Sequence, residues 1–257
     1  MLHFTAKGSG HMPLDQSFEQ QAKQLKVELT RFMMAYRFAL DEVETKVKIL
    51  KEEFHLIHEY NPIEHINTRL KSPESIIAKI QKRQIPLDLV SIKENIQDIA
   101  GIRITCSFES DIYRIQEMIC KQEDLKVVKI KDYIQQPKES GYRSLHLILQ
   151  VPVFLSDRTE NVYVEMQIRT IAMDFWASLE HKIYYKYNKD IPAYLSNQLV
   201  EAAHTAALLD KKMEKLNEEI NILKNQQEDA AYDYRSLQTT KLFAALQQIA
   251  IPSSKEE

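Results

Sequence analysis

The chain has 257 residues, of which 44% are hydrophobic and 28% charged, with a formal net charge of −3. That length fits one large domain or one domain with helical extensions, and the charge supplies no global basic field for bulk nucleic-acid binding. Two cysteines, Cys106 and Cys120, make neither a disulfide framework nor a metal cluster and read as buried or inert thiols. With no apolar run near 18 residues and no signal peptide, a soluble cytoplasmic protein without a membrane partner is expected.

Met1 to Met12 contains Gly-Ser-Gly-His-Met and reads as a tag remnant, 1–12. Residues 13–62 form an N-terminal helical region. Phe18, Ala22, Leu25, Leu29, Phe32, Tyr36, Leu40, Val43, Val47, Leu50, Phe54 and Ile57 recur at three- and four-residue steps until Asn61-Pro62 interrupts them. In the core region, 63–190, a helix starts with Ser72 as N-cap and Pro73 at the first helical position, with Ile76, Ile77 and Ile80 facing inward.

A helical stretch near 88–97 precedes a strand in which Ile102, Ile104, Cys106 and Phe108 alternate with Arg103, Thr105 and Ser107. Ser110-Asp111 caps the next helix. Strands follow at 125–131, 144–151 and 161–169, then a helix over 170–187 that holds the only tryptophan, Trp176. The order predicts an α+β fold with a mixed or largely antiparallel sheet, and no G-x-G-x-x-G or Walker A pattern supports a doubly wound or P-loop alternative. From about 195, Ala202, Ala206, Leu209, Met213, Leu216, Ile220 and Leu223 step 4, 3, 4, 3, 4, 3. This heptad seam, in a C-terminal helix over 191–225, suits either another subunit or the chain's own N-terminal helix. Residues 226–257 read as a mobile polar tail.

Chemistry concentrates in a few segments. Arg69 to Arg83 sets Arg69, Lys71, Lys79, Lys82 and Arg83 against one acid, Glu74, and Ser75, Lys79 and Arg83 share one helix face. A cationic face suits a polyphosphate, although it also suits plain solvent. Asp98 enters a strand before Gly101 and Arg103. It is either a metal ligand or a cap paired with Arg103. Residues 137–146 read Pro-Lys-Glu-Ser-Gly-Tyr-Arg-Ser-Leu-His, a turn that presents Tyr142 beside cations and an imidazole. On the last strand Glu165, Gln167 and Arg169 alternate with Val164, Met166 and Ile168. If these strands share a sheet, Arg103, His146, Glu165, Gln167 and Arg169 converge on one cleft. Asp98 with Glu165 would then hold Mg²⁺, which takes one or two carboxylates plus substrate phosphates.

In order and spacing, Arg69-x-Lys71-x3-Ser75-Ile76-x2-Lys79-x3-Arg83, Asp98–Arg103, Asp132-Tyr133-Ile134, Pro137–His146 and Glu165–Thr170 resemble the synthetase domain of the RelA/SpoT family, the (p)ppGpp or alarmone synthetases. The flanking helices are similar to those of small alarmone synthetases, nearest the RelP-like branch. The resemblance implies a nucleotidyltransferase-like mixed β-sheet flanked by helices, with 63–190 as the catalytic domain. It implies transfer of the β,γ-pyrophosphate of ATP to the 3′-hydroxyl of GDP or GTP, with release of AMP. Arg69 and Arg103 would sandwich adenine, and Lys71, Ser75, Lys79 and Arg83 would hold the ATP phosphates. Asp98 and Glu165 would bind Mg²⁺, with Glu165 the base for the acceptor hydroxyl. Tyr142 would stack on guanine, with Lys138, His146 and Gln167 lining the acceptor site. Many members carry Asn where Ser140 stands, which bears on one guanine contact or on the GDP-versus-GTP preference. No His-Asp dipeptide occurs, so the hydrolase half of long members is expected to be missing. A homotetramer is implied, and a nucleotide or RNA regulator is a candidate partner. Two rival functions use the same residues: a non-catalytic guanine-nucleotide or RNA-binding module, and a nucleotidyltransferase that moves AMP.

Overall fold

A computed structural model of the protein describes residues 14–186 and 192–250. The expected tag remnant and the last seven residues lie outside them. In chain order the elements are α1 (Leu14–Ile57), β1 (Ile63–Leu70), α2 (Pro73–Arg83), α3 (Leu89–Asn95), β2 (Ala100–Cys106), α4 (Glu109–Cys120), β3 (Lys126–Asp132), β4 (Leu145–Phe154), β5 (Thr159–Thr170), α5 (Ile171–Lys186) and α6 (Ala193–Ala250).

The strands form one five-stranded sheet in the order β1-β2-β5-β4-β3. Only β2 and β5 run parallel; the other three pairings are antiparallel. The mixed α+β sheet expected from the closely spaced last strands is therefore what forms. Its apolar side carries Ile102, Ile104, Met166 and Ile168, each at most 1% exposed. Burial of each such side chain contributes roughly 1.5–3 kcal/mol. Along α1 the inward stripe is Ala35, Tyr36, Ala39, Leu40, Val43 and Val47, packed against β1, β2, β4 and β5. Residues 19–31 are exposed throughout, so the repeating pattern outruns the surface that it covers.

Three expectations need correction. Residues 63–70 form an edge strand, β1, which periodicity did not disclose. Ile77 is 48% exposed, because α2 buries only the Ile76/Ile80 stripe. Residues 226–250, read as a polar tail, continue α6 as helix to Ala250. Cys106 is buried as expected, whereas Cys120, at the end of α4, is exposed.

α6 packs on α5 and α4 through Ala203 and Asp210, both buried. Thr170 Oγ1 donates to Asp210 (2.7 Å), and the free amides of Glu109 and Ser110 at the start of α4 donate to Glu214 (2.8 and 3.4 Å). The seam residues Leu209, Met213, Leu216, Ile220 and Leu223 point away from this interface and are 42–58% exposed. They are thus not docked on α1 of the same chain.

Candidate active site

Register decides what meets. β1 pairs β2 with Arg69 opposite Gly101 and Asn67 opposite Arg103. β2 pairs β5 with Gly101 opposite Glu165 and Arg103 opposite Gln167. Because side chains alternate across a strand, Arg69, Arg103, Glu165 and Gln167 stand on one side of three neighbouring strands. They line a cleft of about 310 Å³ together with Asn67, Thr68, Gly101 and Ile102. A Cβ at Gly101 would meet only carbonyl oxygens at ordinary distances, 3.7 and 3.9 Å, so the missing side chain keeps the cleft floor low and is not forced by a clash.

Asp98 lies in the turn between α3 and β2. The amide of Lys71 donates to Ile99 O (2.7 Å), extending the β1–β2 ladder by one residue and bringing Lys71 beside Asp98. Lys71 Nζ donates to Asp98 Oδ2 at 2.9 Å, and Lys79 Nζ, from α2, to the same oxygen at 2.6 Å. α2 is aimed by its start: Ser72 accepts from Ser75 N (3.3 Å), and Pro73 follows. The partner of Asp98 is therefore a lysine pair. Arg103 instead pairs with Asp174 of α5 (3.2 Å). Burial pushes the Asp98 carboxyl up, but the Lys79 and Lys71 bonds and charges outweigh it and hold it below its usual range. Asp98 Oδ1 is buried and has no hydrogen-bond partner.

Glu165 is held differently. Gln167 Nε2 donates to Oε2 (2.9 Å), and His146 Nδ1 lies 3.3 Å from Oε1. Burial raises this carboxyl, and His146 and Gln167 more than reverse that, so its pKa falls below the ordinary 4.5. The charge of Asp98 acts on Glu165 in the opposing direction, so the two acids share one electrostatic environment.

The neighbouring subsite forms around the 133–144 loop. Gly141 N donates to Lys138 O (2.8 Å), and Gly141 has φ +86°, a conformation that glycine adopts without steric cost. Tyr142 is half-buried: its hydroxyl accepts from Arg169 (2.6 Å) and meets His146 Nε2 (2.8 Å). Lys138 Nζ stands 4.6 Å from the Tyr142 ring centre and 4.7 Å from that of Tyr133. A chain of contacts thus runs from Arg169 through Tyr142 and His146 to Glu165. His146 is a buried member of this chain, 7% exposed. Trp176 is core and donates to Leu199 O.

Of the residues expected at the site, Arg69, Arg103, Glu165 and Gln167 share the cleft. Lys71, Lys79 and Asp98 form an ion cluster, and Lys138, Tyr142 and His146 form the loop subsite. Ser75 Oγ is 3.0 Å from Ser72 Oγ, and Arg83 donates to Asn95 O (3.3 Å) across the α2–α3 junction. Asp174 was missed, although it bridges Arg103 and Arg169 (3.2 and 3.1 Å). An acid in the first turn of a helix that directly follows a strand rich in polar residues was its only signal.

For a divalent ion the donor set is suitable but incomplete. Among the described residues no group of three or more His, Cys, Asp or Glu could enclose one. The unpartnered Asp98 Oδ1 and the ionised Glu165 fit Mg²⁺, whose remaining positions go to phosphate and water oxygens.

Residues 68–190 match the family model described as a region found in RelA / SpoT proteins. Over 189 residues the chain is 53% identical to the GTP pyrophosphokinase YwaC of Bacillus subtilis (strain 168), which covers 74% of this chain and 90% of that protein. The chain belongs to the RelA/SpoT family. Two solved structures of small alarmone synthetase 1 from Bacillus subtilis extend the likeness. The one bound to its product pppGpp has a TM-score of 0.71 at 39% identity, covering 75% of this chain and 98% of that one. The one bound to AMPCPP has a TM-score of 0.64 at 34% identity, covering 75% and 98%. Each of these similarities covers more of the chain than the residues that the family model matches.

Proposed function

We propose that this RelA/SpoT protein is a (p)ppGpp synthetase, a GTP/GDP diphosphokinase. It transfers the β,γ-pyrophosphoryl group of ATP to the 3′-hydroxyl of GDP or GTP and releases AMP. The observation that carries the reading is the meeting of Glu165, Gln167, Arg69 and Arg103 in one cleft beside the Asp98–Lys71–Lys79 cluster. The relatives support it, being a GTP pyrophosphokinase by name and small alarmone synthetases solved with pppGpp or AMPCPP.

In this reading Arg69 and Arg103 hold adenine between guanidinium planes. Lys71 and Lys79, with Ser75 and Arg83, hold the phosphates as point charges and donors. Tyr142 offers a ring to guanine, with Lys138, His146 and Gln167 around the acceptor. The 3′-oxygen attacks the β-phosphorus, the bond from that phosphorus to the α,β-bridging oxygen breaks, and the bridging oxygen leaves on AMP. Glu165 accepts the hydroxyl hydrogen bond and then the proton. In-line positioning supplies most of the rate, and a proton acceptor adds ~10²–10⁴-fold. Mg²⁺, held by Asp98 and Glu165, would neutralise charge on the pyrophosphoryl oxygens.

The exposed seam on α6 supports self-association, and the homotetramer that the family resemblance implies is the assembly this reading expects. Among the described residues no helix is long and apolar enough to cross a membrane. A nucleotide or RNA regulator would show as a changed rate when oligonucleotide is titrated into the assay. That assay incubates the protein with ATP, Mg²⁺ and either acceptor. Equal amounts of AMP and a 3′-pyrophosphorylated guanosine nucleotide are expected. Release of pyrophosphate would select AMP transfer, and nucleotide binding without product would select a non-catalytic module.

A further inference from the structure

The 133–144 loop is pressed against α6 at its glycine. A Cβ built on Gly141 would lie 2.5 Å from Ala203 Cβ, and Val200 Cα and O would be 3.6 and 3.8 Å away. The next residue, Tyr142, packs on the small cluster of Trp176, Ala177 and Ala203, joined by Leu199 and Ala206. α6 itself is locked in register. Trp176 Nε1 donates to Leu199 O (3.0 Å), Thr170 to Asp210 (2.7 Å) and Glu109 N to Glu214 (2.8 Å). Those anchors bracket Ala203, which is 6% exposed. The loop, by contrast, exposes Pro137, Lys138 and Glu139 and closes on itself through Gly141 N to Lys138 O and Lys138 N to Tyr142 O. A cavity of about 340 Å³ lies beside the contact, lined by Lys138, Gly141, Arg143, Val200, Ala203 and Lys211. The loop therefore has room to shift if the α6 surface changes.

We infer that α6, through Ala203, is the positioning element of the acceptor loop and sets acceptor affinity without touching the acceptor. This rests on the reading of Tyr142 and Lys138 as acceptor contacts. A side chain larger than methyl at 203 pushes the Gly141 backbone outward, and Tyr142 and Lys138 move with it. The Asp98–Lys71–Lys79 cluster lies on α2, the residue that follows β1 and the turn before β2, so the phosphate side of the ATP site stays as it was, and Arg103 is reached from Tyr142 through Arg169 and Asp174, at two ion pairs' remove.

The experiment measures KM for GDP, GTP and ATP, kcat and melting temperature for the wild type, Ala203→Val, Ala203→Ser, Trp176→Phe and Tyr142→Ala. In Ala203→Val the acceptor KM rises about tenfold and the ATP KM stays within about twofold. Ala203→Ser, closer in size, gives a smaller rise in the same direction. Trp176→Phe keeps the ring but loses the Leu199 bond; it carries the test if Ala203→Val does not fold, with an acceptor KM up about threefold. Tyr142→Ala checks the underlying reading. If it leaves the acceptor KM unchanged, the loop is not the acceptor site, and both the assignment and the inference fall. If Tyr142→Ala raises the acceptor KM while folded Ala203→Val and Trp176→Phe leave it unchanged, or raise both substrates' KM equally, the α6 inference alone is overturned.

Discussion

Two carboxylates carry the proposed chemistry, and each is kept ionised by a different device. Asp98 uses two ammonium groups on one oxygen, and Glu165 uses an imidazole and an amide on its two oxygens. Glu165→Gln keeps the shape but removes the charge. It should reduce turnover by at least ~10²-fold in a protein that still folds, with a melting temperature somewhat lower at pH 7 because the fold favours the ionised carboxylate; near-normal turnover would exclude Glu165 from the reaction. Lys79→Met removes one of the two charges on Asp98 and, in the proposed reading, one phosphate contact, and ATP KM should rise about tenfold with acceptor KM unchanged. Both site carboxyls are held below their ordinary values by their partners, so an acidic fall in rate centred near pH 6 would have to come from another group.

Asp210 runs the other way. Burial raises its pKa, the Thr170 bond opposes that, Glu109 and Glu214 add to the rise and Arg143 subtracts from it. A group raised in the folded state favours its protonated form there. The cost of its charge is full above the folded pKa and vanishes below the unfolded one, near 3.8. Asp210→Asn can still accept from Thr170, so its melting temperature relative to wild type should be about 2 °C higher at pH 7 and should converge with it toward pH 3.5. A deficit at pH 7 would contradict the direction assigned to Asp210.

Among the elements, β5 was legible and β1 was not. β5 alternates strictly because one side faces core and the other faces the cleft or the ion network. In β1 the apolar residues Ile63, Ile66 and Leu70 are spaced three and four apart, which mimics a helix. The cause is a register shift between Ile63 and His65 and an outer face left polar at the sheet edge. β3, the opposite edge, carries Lys126, Lys129 and Lys131, as an unpaired edge should. The helical periodicity of α6 was clear, but its end was not: composition suggested a mobile tail after 225, whereas helix continues to Ala250. The outward seam makes a prediction at this scale. Met213→Glu with Leu216→Glu should reduce the mass measured by light scattering to that of a smaller species, because charges would be desolvated at the apolar interface. Unchanged mass would remove the seam from assembly.

For the whole molecule, the sheet order β1-β2-β5-β4-β3 turns residues 32 and 64 positions apart into neighbours, Arg69 beside Gly101 and Gly101 beside Glu165. Sequence patterning identified which strand face Arg103, His146, Glu165, Gln167 and Arg169 occupy, but not that Arg69 stands on a strand. It could not identify ion-pair partners, because Lys79 with Asp98 and Asp174 with Arg103 form only after α2 and α5 pack against the sheet. The deciding measurement follows a terminal label: ATP carrying labelled γ-phosphate, Mg²⁺ and GDP are incubated with wild type and with Glu165→Gln, and products are separated. Wild type should move the label to the guanosine 3′ position in step with AMP formation, and Glu165→Gln should not. Label released as pyrophosphate, or equal transfer by both proteins, would contradict the central claim that this cleft transfers pyrophosphate by way of Glu165.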